Sequence, residues 1–145
     1  MTARAFVAGV SLVLSGCAAQ TFPLEAGAEA SRQFLVGDWF GTYEWPTDAF
    51  KVPRKILVSI RSVQPDGAVQ ATVQLFGPSG EPLSAPQAIA GTLTEGRLHL
   101  KYLDRFTLSR VADDRLAGEA WISTRGGLQG TRMERIDLNL RREGK

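Results

Sequence analysis

The chain has 145 residues, enough for one domain and short for two, and at 43% hydrophobic and 22% charged it has the make-up of a folded globular protein. Its 17 basic residues against 15 acidic ones leave a net charge of +2, without the one-sided basic excess of a nucleic-acid binder. A single cysteine excludes an internal disulfide and a cysteine-rich zinc site, and a single histidine leaves little for histidine-based metal or triad chemistry.

In chain order, the first feature is an address. Arg4 precedes an apolar run of about ten residues, 5–14, too short to cross a hydrocarbon core of roughly 30 Å as a helix. It fits the apolar region of a secretory signal peptide that ends in small residues. The run closes on Leu14-Ser15-Gly16-Cys17, which resembles the lipobox of bacterial lipoproteins. The resemblance implies cleavage before Cys17, a diacylglyceryl group on its sulfur, and usually acylation of the new amino end. Several acyl chains make a stable membrane anchor where one makes a marginal one. Ala18 and Ala19 follow, in place of the aspartate that resembles an inner-membrane retention signal, which favours the outer membrane, with the domain facing the periplasm. The expected organisation is a signal peptide over 1–16, a lipidated Cys17 with an Ala/Glu-rich tether or short helix over 17–33, and a folded domain over 34–145.

From Phe34 onward the apolar period is two, not 3.6. Gly37 to Trp45 predicts an aromatic strand. Alternation then predicts strands carrying Ile56, Val58 and Ile60; Val69, Ala71, Val73 and Leu75; Ile89 and Leu93; Leu98, Leu100 and Tyr102. Three more follow, from Phe106, from Leu116 and around Ile136, Leu138 and Leu140. One dry face and one wet face is the mark of antiparallel strands. Gln64-Pro65-Asp66-Gly67, Glu95-Gly96, Asp113-Asp114 and Gly126-Gly127 supply the turns. The expected fold class is all-β: an antiparallel meander of about eight strands closed as a small barrel, with a two-sheet β-sandwich as the alternative. The basic end from Arg132 reads as the solvated face of the last strand, or as a contact for anionic head groups near the anchor.

Gly37-Asp38-Trp39, with Gly41 and Tyr43 after it, is similar to the Gly-x-Trp that opens the first strand of lipocalins and other calycins. The strand number, the short hairpins and a long loop over 46–54 agree with that resemblance. It implies a lipocalin-like barrel in which Trp39 closes the floor and an arginine of the last strands packs over it, with Arg132, Arg135 and Arg141 as candidates.

Candidate chemistry is sparse. His99 lies between Leu98 and Leu100 and by parity faces outward with Arg97 and Lys101. Asp66, Glu95, Asp104, Asp113 and Asp114 sit in turns, and two adjacent acids fall short of the six to eight oxygens calcium takes. No catalytic set, metal site or cofactor is expected. Glu119 and Trp121 share the parity opposite to Leu116, Ala120 and Ile122, so only one set faces the interior. The tentative ligand-binding residues are Trp45, Phe50 and Val52 of the first long loop, with Phe50 expected to pack over the barrel mouth, and Trp121. The expected function is non-enzymatic binding of a hydrophobic or amphipathic small molecule in the barrel. The alternatives are a filled barrel that docks an envelope protein, or a protease-inhibitor-like module. The expected partners are the membrane, through the lipid, and a small molecule or envelope protein, with no nucleic acid.

Overall fold

Each alternating segment forms a strand, because alternation lets a strand bury one face while the other stays in water. The computed structural model describes residues 23–126, 128 and 130–143, so the lipobox and Cys17 lie outside the described residues. A short helix, α1 (Glu29–Leu35), precedes eight strands: β1 (Gly37–Tyr43), β2 (Arg54–Val63), β3 (Ala68–Phe76), β4 (Gln87–Thr94), β5 (Arg97–Leu100), β6 (Arg105–Ala112), β7 (Arg115–Arg125) and β8 (Thr131–Arg142). Neighbours in sequence pair antiparallel throughout, and β8 returns to β1, so the sheet is a closed eight-stranded barrel of lipocalin-like architecture rather than a sandwich. Closure leaves no sheet edge exposed for stray pairing.

The turns follow their local chemistry. Glu95 (φ 52°) and Gly96 (φ 75°) both take positive φ, as the two-residue hairpin between β4 and β5 requires. Gly67 (φ 94°) closes the β2–β3 turn, with its N–H on the Gln64 carbonyl at 2.9 Å. Gly41 answers a different need. A Cβ there would run into the Asn139 carbonyl and the Leu140 side chain, so glycine lets β1 lie close against β8 at the seam.

Because the strands alternate in direction, the barrel has two distinct ends. Three short turns, 64–67, 95–96 and 113–114, gather with α1 at one end, the floor. Four loops, 44–53, 77–86, 101–104 and 126–130, gather at the other, the open end. The interior is packed with apolar side chains, among them Trp39, Val58, Ile60, Val69, Leu98, Phe106, Leu108, Leu116 and Leu140.

Over 17–33, read as a tether or short helix outside the core, the described part carries the start of α1 and also reaches the core. Leu24 is 1% exposed, joins the barrel core and bridges to Gly96, and Ser31 of α1 is buried as well. The folded unit therefore includes Leu24 and α1, and α1 caps the floor. Isolated apolar residues in an Ala/Glu-rich stretch carry no period, which is why the strand pattern passed over them.

Candidate functional site

The floor is built from residues that the strand pattern placed only in part. Trp39 is fully buried and its indole N–H donates to the Leu35 carbonyl at 2.8 Å, tying β1 to α1. The Phe34 ring leans on it, with centroids 5.3 Å apart. An arginine does lie over the indole, as the calycin resemblance implies, but it is Arg142, 4.9 Å from the ring centroid. It also donates to the Phe34 carbonyl. The candidates Arg132, Arg135 and Arg141 are excluded by position. Arg132 and Arg135 lie in the half of β8 nearer the open end, and Arg141 has the outward parity, opposite to Leu138, Leu140 and Arg142. Inward parity extended two residues past Leu140 would have found Arg142. Arg110 adds a second guanidinium 4.0 Å from the Phe34 centroid. Together these groups plug the floor.

The open end has a different construction. Tyr43 and Trp45 meet edge to face at 6.3 Å, and Tyr102 and Phe106 do so at 5.9 Å. With Ile56, Leu75, Leu103 and Ile136 they surround a cavity of about 10 Å³. That is about the room one water needs, and far below the roughly 300 Å³ at which drug-sized ligand pockets begin. The interior is thus filled by its own side chains. Tyr43 is 4% exposed and its hydroxyl has no hydrogen-bond partner. Burial raises its pKa above the ordinary tyrosine value, and the nearby Arg54 opposes that rise. Burial also raises that of Tyr102.

Of the four tentative binding residues, Trp45 alone lines this cavity. Phe50 does not pack over the mouth: it is 90% exposed and covers nothing. The loop is held instead by polar bonds. Arg54 makes a forked pair with Asp48 at 2.7 and 2.9 Å, and the Lys51 ammonium donates to the Pro46 carbonyl at 2.6 Å. Those bonds fix the backbone with Phe50 outward, an outcome that apolarity alone does not signal. Val52 is exposed at 40%. Trp121 lies on the outer wall, because Leu116, Ala120 and Ile122 take the interior, and its indole N–H donates to Glu119 Oε1 at 3.0 Å. The structure therefore separates Trp121 from Trp45, Phe50 and Val52 and makes no single site of the four.

His99 faces outward as its parity predicts, with Nδ1 3.3 Å from the Thr107 hydroxyl. Among the described residues, no cluster of three or more His, Cys, Asp or Glu is arranged to hold a metal. No protein-family model matches the chain, and no curated protein matches it.

The exposed apolar residues are unevenly distributed. Phe50, Val52, Leu83, Leu103, Leu128 and Met133 belong to the open end, and all four of its loops contribute, whereas Val36 and Val111 lie at the floor end. Large apolar side chains in water cluster where a contact is made.

Proposed function

We propose that this chain is a lipid-anchored bacterial envelope protein whose filled barrel is a rigid, non-enzymatic platform, and whose open-end loops dock an envelope protein through their apolar tips. The observation that carries this reading is the apolar rim over an interior with about 10 Å³ to spare. A rigid scaffold that presents apolar loops is a common basis for recognition. The anchor adds a direction. Pro23 lies at the floor, and the six residue steps from Cys17 to Pro23 reach at most about 22 Å. A tilted strand of 12 residues such as β8 spans roughly 28 Å of barrel height. On that geometry a lipid on Cys17 holds the floor near the bilayer and the rim away from it. Among the described residues no helix is long and apolar enough to cross a membrane.

Two measurements test this. Cys17→Ala should release the protein from the membrane fraction or block its maturation; a variant that matures and stays bound as before removes the anchor from the reading. A photo-crosslinking residue at Phe50 or at Leu128 should capture one partner of defined mass in cells, while the same residue at Val111 should not. Equal capture at both ends, or none at the rim, removes the docking role.

A second reading is favoured by the unpartnered Tyr43 hydroxyl beside an apolar cavity at the open end: a small amphipathic ligand enters there and Trp45 reports it. It requires the 101–104 loop to move. Saturable change in tryptophan emission on titration with fatty acids or small aromatics would establish this reading in place of the first.

A further inference from the structure

The outer wall holds an arrangement that neither the rim nor the plug uses. Arg97 and His99 of β5, Arg105, Thr107 and Ser109 of β6, and Glu119 of β7 line one surface groove of about 660 Å³. Register explains why they meet. His99 pairs with Thr107, and Thr107 pairs with Glu119 on its other side, so the three side chains form a row across three strands. Arg105 flanks Thr107 on one side of that row and Ser109 flanks it on the other, with Arg97 two residues before His99. All of them have outward parity, since Leu98, Leu100, Phe106 and Leu108 fill the interior.

The charges in the groove are not balanced by the protein. Among the described residues, no carboxylate lies within ion-pair distance of Arg97 or Arg105. The one carboxylate present, Glu119, is engaged elsewhere: it accepts from the Trp121 indole at 3.0 Å and has Arg135 at 4.0 Å. The Thr107 hydroxyl and His99 Nδ1 face each other at 3.3 Å, so two guanidiniums, the His99 Nε2 and the Ser109 hydroxyl are left facing the groove. Guanidinium forks match the geometry of an oxyanion, and hydroxyls and imidazole N–H groups complete its coordination. A closed sheet fixes the spacing of the strands, so little ordering remains when a ligand arrives.

We infer that this outer groove binds a phosphate group, with Arg97 and Arg105 closing on it from opposite sides of the His99–Thr107 row. The groove opens sideways from the barrel wall and is separate from the rim, so this site stands or falls independently of the docking role. A phosphate can come free in solution or as part of a lipid head group, and the chemistry of the groove is the same for both.

The test uses the chain's single histidine, whose ring gives one set of NMR signals. The purified protein, with labelled histidine, is titrated at fixed pH and ionic strength with inorganic phosphate and, separately, with glycerophosphoglycerol, a deacylated head group. The His99 signals should shift saturably with at least one, and the tighter ligand names the source. The double variant Arg97→Gln, Arg105→Gln should bind about tenfold more weakly or worse, two charge-assisted bonds being lost. Arg61→Gln, on the outer face of β2, should bind as the parent does, and unchanged core amide signals confirm that each variant is folded. Absence of a saturable shift with both ligands, or equal binding by the double variant, overturns the site.

Discussion

The two ends of the barrel use the same kinds of residue to opposite effect. At the floor, an aromatic pair, an arginine over the indole and a short helix interlock, and the Trp39 indole N–H and the Phe34 carbonyl each find a partner. At the open end, aromatic pairs also close the interior, but among the described residues no helix covers them, and the first loop is tied by the half-buried Arg54–Asp48 pair. The difference shows where the molecule keeps its stability and where it keeps its freedom. Short turns and buried bonds hold the end that the chain enters and leaves, and long loops free the other for contact.

The largest test of that division is Trp39→Ala. Emptying a fully buried indole site should destabilise the domain by about 3–5 kcal/mol in chemical denaturation. A loss under about 1 kcal/mol would mean that the floor is not where stability resides. Next comes Arg142→Met, which keeps the apolar stem and removes the donor to the Phe34 carbonyl. A loss of about 1–3 kcal/mol is expected, against within about 0.5 kcal/mol for Arg132→Met at the exposed start of β8. Equal losses would erase the contrast between the ends.

Tyr43 sharpens the comparison through pH. Burial holds its folded-state pKa above the unfolded value of about 10. The unfolded chain therefore ionises first as pH rises, so the stabilising contribution is complete below about pH 10 and is lost as pH climbs through the folded value. Tyr43→Phe should leave stability near pH 7 almost unchanged and flatten the alkaline fall, read from denaturation midpoints across pH. A variant that falls as steeply as the parent would show that Tyr43 does not carry the effect. The smallest expected change is Phe50→Ser, within about 0.5 kcal/mol, because an exposed ring has little burial to lose. A larger loss would mean that Phe50 packs in solution after all.

How much of this was legible in the sequence depended on whether a residue's role is set by its own segment. Alternation placed all eight strands and faced His99 outward with its neighbours, because a strand's two faces are decided locally, but it left open which parity of the Trp121 strand lies inside. Gly37-Asp38-Trp39 pointed to a floor indole. What could not be read were partners across the chain. Arg142 reaches Trp39 only because β8 returns to β1, and Leu24 is buried only because it meets the β4–β5 turn. The outward Phe50 is an error of another kind. An apolar residue in a loop was expected to cover the mouth, but Tyr43, Trp45 and Tyr102 already close it, and the Arg54–Asp48 pair sets the loop elsewhere.

The seam between β1 and β8 also governs how the molecule comes into being. Only four residues of β1, Trp39 to Thr42, pair with β8, whereas the β7–β8 ladder runs over eleven pairs. The short seam joins the first strand to the last, so it is the most distant pairing in the chain and the costliest to find, since a loop of about a hundred residues must close before it forms. Until β8 arrives, Trp39 lacks Arg142 and the cylinder stays an open sheet with two raw edges. Closure is therefore the pairing expected to form last. A protein threaded through a membrane amino end first would thus stay unclosed until its last dozen residues had passed.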